Sequence, residues 1–271
     1  MSDLLRKSSK VDLESVTILQ DVNTHNDPLD YTSMKVIELG KGKSYKEELI
    51  DKEVCIVVLT GNVTVSDGNE TFPNIGTRES VFERIPTDSV YISNDNTFEV
   101  LGEKNARLAI CYAPSTNKLP TKLIKASDNT KEDRGKYSNK RTVHNILPDN
   151  VDTANSLLVV EVYTNSGNWS SYPPHKHDQD NLPEESFLEE IYYHELNPSQ
   201  GFVFQRVYTD DLSIDETMTV HSGDCVIVPA GYHPVGVPDG YDSYYLNVMA
   251  GPVRKWQFNN DKDHEWIINR D

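Results

Sequence analysis

The chain has 271 residues, with 26 Lys and Arg against 43 Asp and Glu, and a formal net charge of −17. That length allows two modest cores or one large one. The charge argues against a nucleic-acid partner, which needs a basic surface, but leaves room for a small anionic ligand held by one or two placed arginines. No run approaches the roughly 20 apolar residues that cross a bilayer as a helix, so no membrane partner is expected. The first residues, Met1 to Ser9, carry no apolar signal segment. Cys55, Cys111 and Cys225 lie in apolar strand-like runs with no paired spacing. Buried, reduced thiols and a cytoplasmic location are therefore expected.

Taken along the chain, the periodicity is that of strands. Short apolar or alternating runs at Val54 to Thr60, Asn62 to Ser66, Val81 to Ile85, Val90 to Ser93 and Leu108 to Tyr112 are punctuated by Gly61, Asp67-Gly68 and Pro86-Thr87-Asp88 as turns. A polar, charged stretch from Ser127 to Lys140 follows. A second set then runs through Leu157 to Tyr163, Phe187 to Leu196, Phe202 to Tyr208, Thr217 to Val220, Asp224 to Val228 and Ser243 to Met249. Many short strands in two sets predict an all-β chain of two sandwiches or barrels. The expected division is residues 1–126, a linker over 127–141, and residues 142–271.

The two sets also overlay. Glu53 to Leu59 aligns with Glu190 to Leu196, and Pro86, four residues before Val90, aligns with Pro229, four residues before His233. The overlay reads as an internal duplication. The first copy lacks a His-x-His before Glu53 and has Val90 where a histidine would be needed, so only the second copy is expected to hold a metal.

Six of the eight histidines lie between His175 and His264. In Pro173-Pro174-His175-Lys176-His177-Asp178, two histidines at i and i+2 of an extended segment share one face, whereas Lys176 points away and reads as surface. Glu190 opens the run Glu190-Ile191-Tyr192-Tyr193, and His233 follows the turn Pro229-Ala230-Gly231. Three imidazoles and one carboxylate suit one divalent ion per chain, Zn first, with Mn or Fe(II) compatible. Glu189 is the rival acid. By strand parity Glu190, Tyr192 and His194 share one face, and Glu189, Ile191 and Tyr193 the other.

His175-x-His177, a strand glutamate and a later histidine after a Pro-containing turn resemble the cupin signature, although the gap from His177 to Glu190 is longer than the usual cupin spacing. Ser171 to Asp178, Leu188 to His194, Pro198 to Phe202, Gln205 to Tyr208 and Val228 to Pro234 together resemble the 5-deoxy-glucuronate isomerase family of bacterial myo-inositol catabolism, relatives of the 4-deoxy-5-hexosulose-uronate ketol-isomerases of pectin breakdown. The resemblance implies a bicupin: two cupin (double-stranded β-helix, jelly-roll) barrels in one chain, with metal ligands in the second. It also implies an aldose–ketose isomerisation of 5-deoxy-D-glucuronate to 5-dehydro-2-deoxy-D-gluconate, through an enediolate stabilised by the metal.

For that chemistry His194 is the candidate base, on the strand face of Glu190. Gln205 and Arg206 alternate, so one of them faces inward, and an inward Arg206 would suit a uronate carboxylate. Arg254, with Lys255, is a second candidate for that task, and Tyr172, Tyr192 and Tyr232 could bond sugar hydroxyls. The expected partner is a small anionic sugar acid, with self-association into a homo-oligomer left open. Readings from other classes are an Fe(II) dioxygenase, which oxygen uptake would reveal, and a non-catalytic sugar sensor, which no helix-turn-helix or basic helix supports.

Overall fold

The structure, a computed structural model, describes residues 2–271. Two seven-stranded antiparallel sheets and two four-stranded sheets carry most of the chain. In the first half the large sheet runs, in spatial order, Lys122–Ile124, Ser89–Ile92, Lys52–Thr60, Ala106–Pro114, Ser33–Leu39, Val16–Val22 and Val11–Asp12. The second half repeats the order with Leu5–Arg6, Cys225–Val228, Glu189–Asn197, Asp242–Ala250, Leu158–Thr164, Arg141–Leu147 and Thr130–Arg134. Each large sheet faces a smaller one: Ser44–Leu49, Asn96–Gly102, Val63–Ser66 and Thr71–Ile75 in the first half, and Trp169–Ser170, Val235–Gly236, Phe202–Tyr208 and Asp215–His221 in the second. This is the all-β architecture in two sandwiches expected from the strand pattern, and the two-fold cupin arrangement that the resemblance implies.

Three expectations are corrected. Val81–Glu83 is a single 3-10 turn rather than a strand, because Ser80 and Glu83 form a reciprocal capping box that satisfies its first backbone amides. The stretch 127–141 is not a free linker: Thr130–Arg134 pairs with Arg141–Leu147 as the edge of the second large sheet. Nor do all of residues 1–126 stay in the first half, since Leu5–Arg6 pairs with Cys225–Val228.

A further correction concerns the overlay. Glu53 lies opposite Ala113 as Glu189 lies opposite Ala250, and Val54 lies opposite Ile92 as Glu190 lies opposite Val228. The structural partner of Glu53 is thus Glu189, and Val54 stands where the second half has Glu190. Pro86 precedes its strand Ser89–Ile92, whereas Pro229 follows Cys225–Val228, so the Pro86–Pro229 alignment, and with it the pairing of Val90 with His233, fails. A one-residue slip in a strand sends every side chain to the opposite face, and the short apolar strings carry no information against it.

Alternation then assigns each face a task. Val54, Ile56 and Val58 pack inside the first sandwich. Cys55, Val57 and Leu59 belong to a separate core that includes Ile191, Tyr193 and Cys225, where the two large sheets meet. All three cysteines are buried and free.

Charged groups clamp this junction symmetrically. Glu53 accepts from the backbone amides of Asn155, Ser156 and Leu157 at 2.6–2.8 Å. Glu189 accepts from those of Asp30, Tyr31 and Thr32 at 2.7–3.3 Å. Arg78 of the first half reaches Glu161 of the second at 2.7 Å, both side chains fully buried. Replacing Glu189 with Ala would leave three amides without an acceptor, so Glu189→Ala is expected to cost about 2–4 kcal/mol. Glu53→Ala should cost about as much. Urea unfolding of both variants checks this, and an unchanged midpoint would show that the clamps do not hold the halves together.

Candidate metal centre

The second sandwich gathers four of the residues singled out above. His175 sits in the short strand His175–Lys176, paired with Asn259–Asn260. His177 follows directly, and the chain then makes a hairpin, Asp178–Asn181 against Glu185–Phe187. That hairpin accounts for the long gap before Glu190. The hairpin returns so that Leu188 donates its amide to the His177 carbonyl at 2.9 Å. Glu190 is then delivered by the strand Glu189–Asn197.

His233 is delivered by a turn at Gly231, whose φ of +94° and position against the Tyr208 backbone leave no room for a Cβ. The Gly231 amide donates to Asp178 Oδ2 at 3.0 Å, which ties this turn to the histidine segment.

One ring nitrogen from each of His175, His177 and His233 lies within 4.8 Å of the others. Glu190 Oε2 lies 3.1 Å from both His177 Nε2 and His233 Nε2. Backbone carbonyls occupy the opposite nitrogens: His177 Nδ1 is 2.8 Å from the Leu188 oxygen and His233 Nδ1 is 2.8 Å from the Gly231 oxygen. Each Nδ1 therefore carries the proton and each Nε2 presents a lone pair to the cluster. His233 Nε2 is buried and makes no hydrogen bond. A lone pair 3.1 Å from a carboxylate oxygen is repulsive unless a cation lies between them, so the donor set fits a divalent metal ion.

The titration shifts follow the same crowding. Burial pushes His175 well below its ordinary value, and the neighbouring imidazoles add to the effect. Burial opposes ionisation of Glu190, but the adjoining His233 and His177 outweigh it and hold the carboxyl well below its usual range. Glu189, by contrast, faces the junction between the halves and its carboxyl is pushed up, chiefly by burial.

A cavity of about 500 Å³ opens beside His175. An inner pocket of about 30 Å³ continues to Glu190 and Tyr192. The outer wall is apolar where Trp256, Phe258 and Ile268 line it, and the Phe258 ring lies 4.6 Å from that of His175. Four of the 26 Lys and Arg also line it (Arg134, Lys136, Arg141 and Arg270) and none of the 43 Asp and Glu. In a chain of net charge −17 this is a local reversal of sign.

Other candidates lie elsewhere. Tyr172 lines the outer cavity and Tyr192 the inner pocket. His194 lines neither cavity. It is fully buried, bonds Gln205 Oε1 at 3.0 Å and stacks on Tyr192, and burial lowers its pKa to about 4. Gln205 is the inward member of its pair. Arg206 points outward, paired with Asp215 at 2.7 Å and stacked over Tyr208 at 4.0 Å. Arg254 is consumed by the carbonyls of Leu147, Val151, Leu157 and Pro148, and Lys255 pairs with Asp149. Tyr232 bonds Asp210, away from both cavities. Lys176 does point away from its histidine neighbours, but it is buried, with Asp178 at 2.6 Å and Glu185 at 3.4 Å. The reading from sequence missed Arg141 and the aromatic wall of Trp256 and Phe258.

Residues 4–267 match the KduI/IolB family. The chain belongs to the KduI/IolB family. Within it, relatives named 5-deoxy-glucuronate isomerase from Bacillus licheniformis and Bacillus subtilis are each 69% identical over 271 residues, covering all of both chains. One of the same name from Listeria monocytogenes is 64% identical over 273 residues, again with full coverage. A crystal structure of an "iolb-like protein" from Salmonella typhimurium superposes with a TM-score of 0.94 at 46% identity, covering 98% of this chain and 99% of that one. An oxalate decarboxylase from Lactobacillus farciminis superposes at 0.69 with 12% identity, covering 96% and 89%, a likeness of fold alone.

If the cluster holds a metal through Glu190, then Glu190→Gln should lower bound divalent ion sharply, whereas Glu189→Gln should keep it. Elemental analysis of the purified variants decides, and the opposite ranking would place the wrong glutamate in the cluster.

Proposed function

We propose that this KduI/IolB protein is an isomerase that converts 5-deoxy-D-glucuronate to 5-dehydro-2-deoxy-D-gluconate in inositol catabolism, at one metal site in its second half. The observation that carries the reading is the convergence of His175, His177 and His233 on Glu190 at the inner end of a cation-lined cavity. Full-length relatives that bear the isomerase name support it. A cytoplasmic location fits three free, buried thiols.

An aldose–ketose isomerase moves a proton from C2 to C1 of an open-chain sugar and must stabilise the negative charge that builds on the intervening oxygens. His175, His177, Glu190 and His233 would hold the divalent ion, with zinc favoured by three imidazole nitrogens and one carboxylate, and Mn or Fe(II) accommodated by the same set. Bound there, such an ion supplies Lewis-acid polarisation of substrate oxygens. The remaining tasks fall to the chain.

Tyr192 borders the inner pocket with its hydroxyl 3.1 Å from Ser171 Oγ. Burial, reinforced by the Glu190 charge, pushes its pKa well above the ordinary value. The phenol keeps its proton at neutral pH and serves as a hydrogen-bond donor to a substrate oxygen rather than as the base. Trp256 and Phe258 present an apolar wall that would limit water at the reacting carbons. The first half would serve as support, since Val54 stands at the position of Glu190 and packs into an apolar core.

The expected activity needs neither oxygen nor a nicotinamide. Purified protein should interconvert the uronate and its ketose isomer, a chelator should abolish turnover, and added divalent ion should restore it. In heavy water, solvent deuterium should enter C1 of the product. Oxygen consumption coupled to turnover would contradict the isomerase reading.

A further inference from the structure

We propose that Arg141 binds the substrate carboxylate and so selects sugar acids over neutral sugars, an inference that rests on the isomerase reading above. Arg141 opens the strand Arg141–Leu147, where it lies opposite Arg134 on one side and Thr164 on the other. Its side chain lines both the outer cavity and the inner pocket, as His175 does, so the two residues flank the passage between them.

What sets Arg141 apart is the state of its donors. Arg6, Arg78, Arg84, Arg107, Arg134 and Arg206 each hold an acidic side chain at 2.5–2.9 Å. Arg254 is saturated by four backbone carbonyls. Arg141 has no acidic partner among the described residues. Its Nη1 donates to the carbonyls of Asn139 at 3.0 Å and Tyr172 at 3.4 Å. Its Nε and Nη2 make no hydrogen bond, and neither is fully buried.

A guanidinium offers five N–H donors in a planar fork, and its natural complement is a carboxylate bound through two of them. A half-buried cation without a counter-charge is costly, and burial pulls the pKa of Arg141 below its ordinary value. A carboxylate arriving with the substrate would remove that cost on binding. Arg270, which also lacks an acid, makes a single long bond of 3.4 Å to the Lys136 carbonyl and lines the outer cavity alone. Arg134 borders both spaces but is already committed to Glu132 at 2.7 Å.

The competing role is a pin: Nη1 alone ties Asn139 to Tyr172, and Arg141 does nothing for the substrate. The two roles separate by substrate. Kinetics of wild type, Arg141→Met and Arg141→Lys should be compared on 5-deoxy-D-glucuronate and on the neutral sugar that carries a hydroxymethyl in place of the carboxylate, with metal content measured on each protein. Arg141→Met should lose about 100-fold in kcat/KM on the uronate, the size expected for a charged bidentate contact. Most of that loss should fall on KM, and the neutral sugar should change by less than about 3-fold.

Arg141→Lys keeps the charge without the fork and should recover part of the loss. It also carries the test if the Met variant does not fold, because an intermediate loss confined to the uronate is then expected. Equal losses on the two substrates, with metal retained, would make Arg141 a pin and overturn the proposal. If wild type does not isomerise the uronate at all, the isomerase reading fails and takes this proposal with it.

Discussion

The register of one strand, Glu189–Asn197, governs the rest of the molecule. Its two faces carry incompatible duties. Glu189, Ile191 and Tyr193 look into the junction between the halves, where Glu189 anchors three backbone amides and the two aliphatic and aromatic side chains join the shared core. Glu190 and Tyr192 look into the second sandwich, toward the imidazoles and the inner pocket. Ladders on both sides hold this register, with nine residue pairs to Asp242–Ala250 and four to Cys225–Val228. A shift of one residue would bury Tyr193 among the histidines and leave the amides of Asp30 to Thr32 facing the wrong glutamate. Stability and chemistry are thus specified by the same alternation.

The four groups at the inner pocket would be a poor choice as structural filler. A buried carboxylate with three imidazoles is favourable only where protons or a cation balance its charge. The carbonyls of Leu188 and Gly231 take the Nδ1 protons of His177 and His233, leaving the Nε2 lone pairs to face inward. The supports of the two segments are joined as well: Asp178 receives both the Lys176 ammonium and the Gly231 amide. The buried Lys176 therefore links the strand of His175 to the turn that presents His233. Such outer contacts orient donors to the sub-ångström level that metal affinity requires.

Much of this was legible in the chain. Period-two spacing puts His175 and His177 on one face, and the Pro229-Ala230-Gly231 turn marks the return of His233, so their convergence follows from elementary strand geometry. The duplication was visible too, but not its register, because strings such as Val54 to Leu59 are apolar on both faces and carry no marker of which residue points inward. Arg141 was missed for a related reason. It closes a polar stretch with no alternation, and Thr130–Arg134 becomes a strand only because Arg141–Leu147 supplies a partner edge. The choice between Gln205 and Arg206 rested on a single register step, and the ladder with Asp215–His221 sends Arg206 outward to Asp215. Arg254 could not be judged from sequence, since the four carbonyls that occupy it come from residues about a hundred positions earlier.

The central claim is that three imidazoles and one carboxylate of the second half share a single divalent ion. X-ray absorption at the edge of the metal carried by the purified protein reads that shell directly. The account predicts nitrogen and oxygen neighbours at about 2.0–2.2 Å, the multiple-scattering signature of three imidazoles, and no sulfur. That signature should fall to two imidazoles in His177→Ala. A shell containing sulfur, or one without imidazole that is unchanged in His177→Ala, would contradict it.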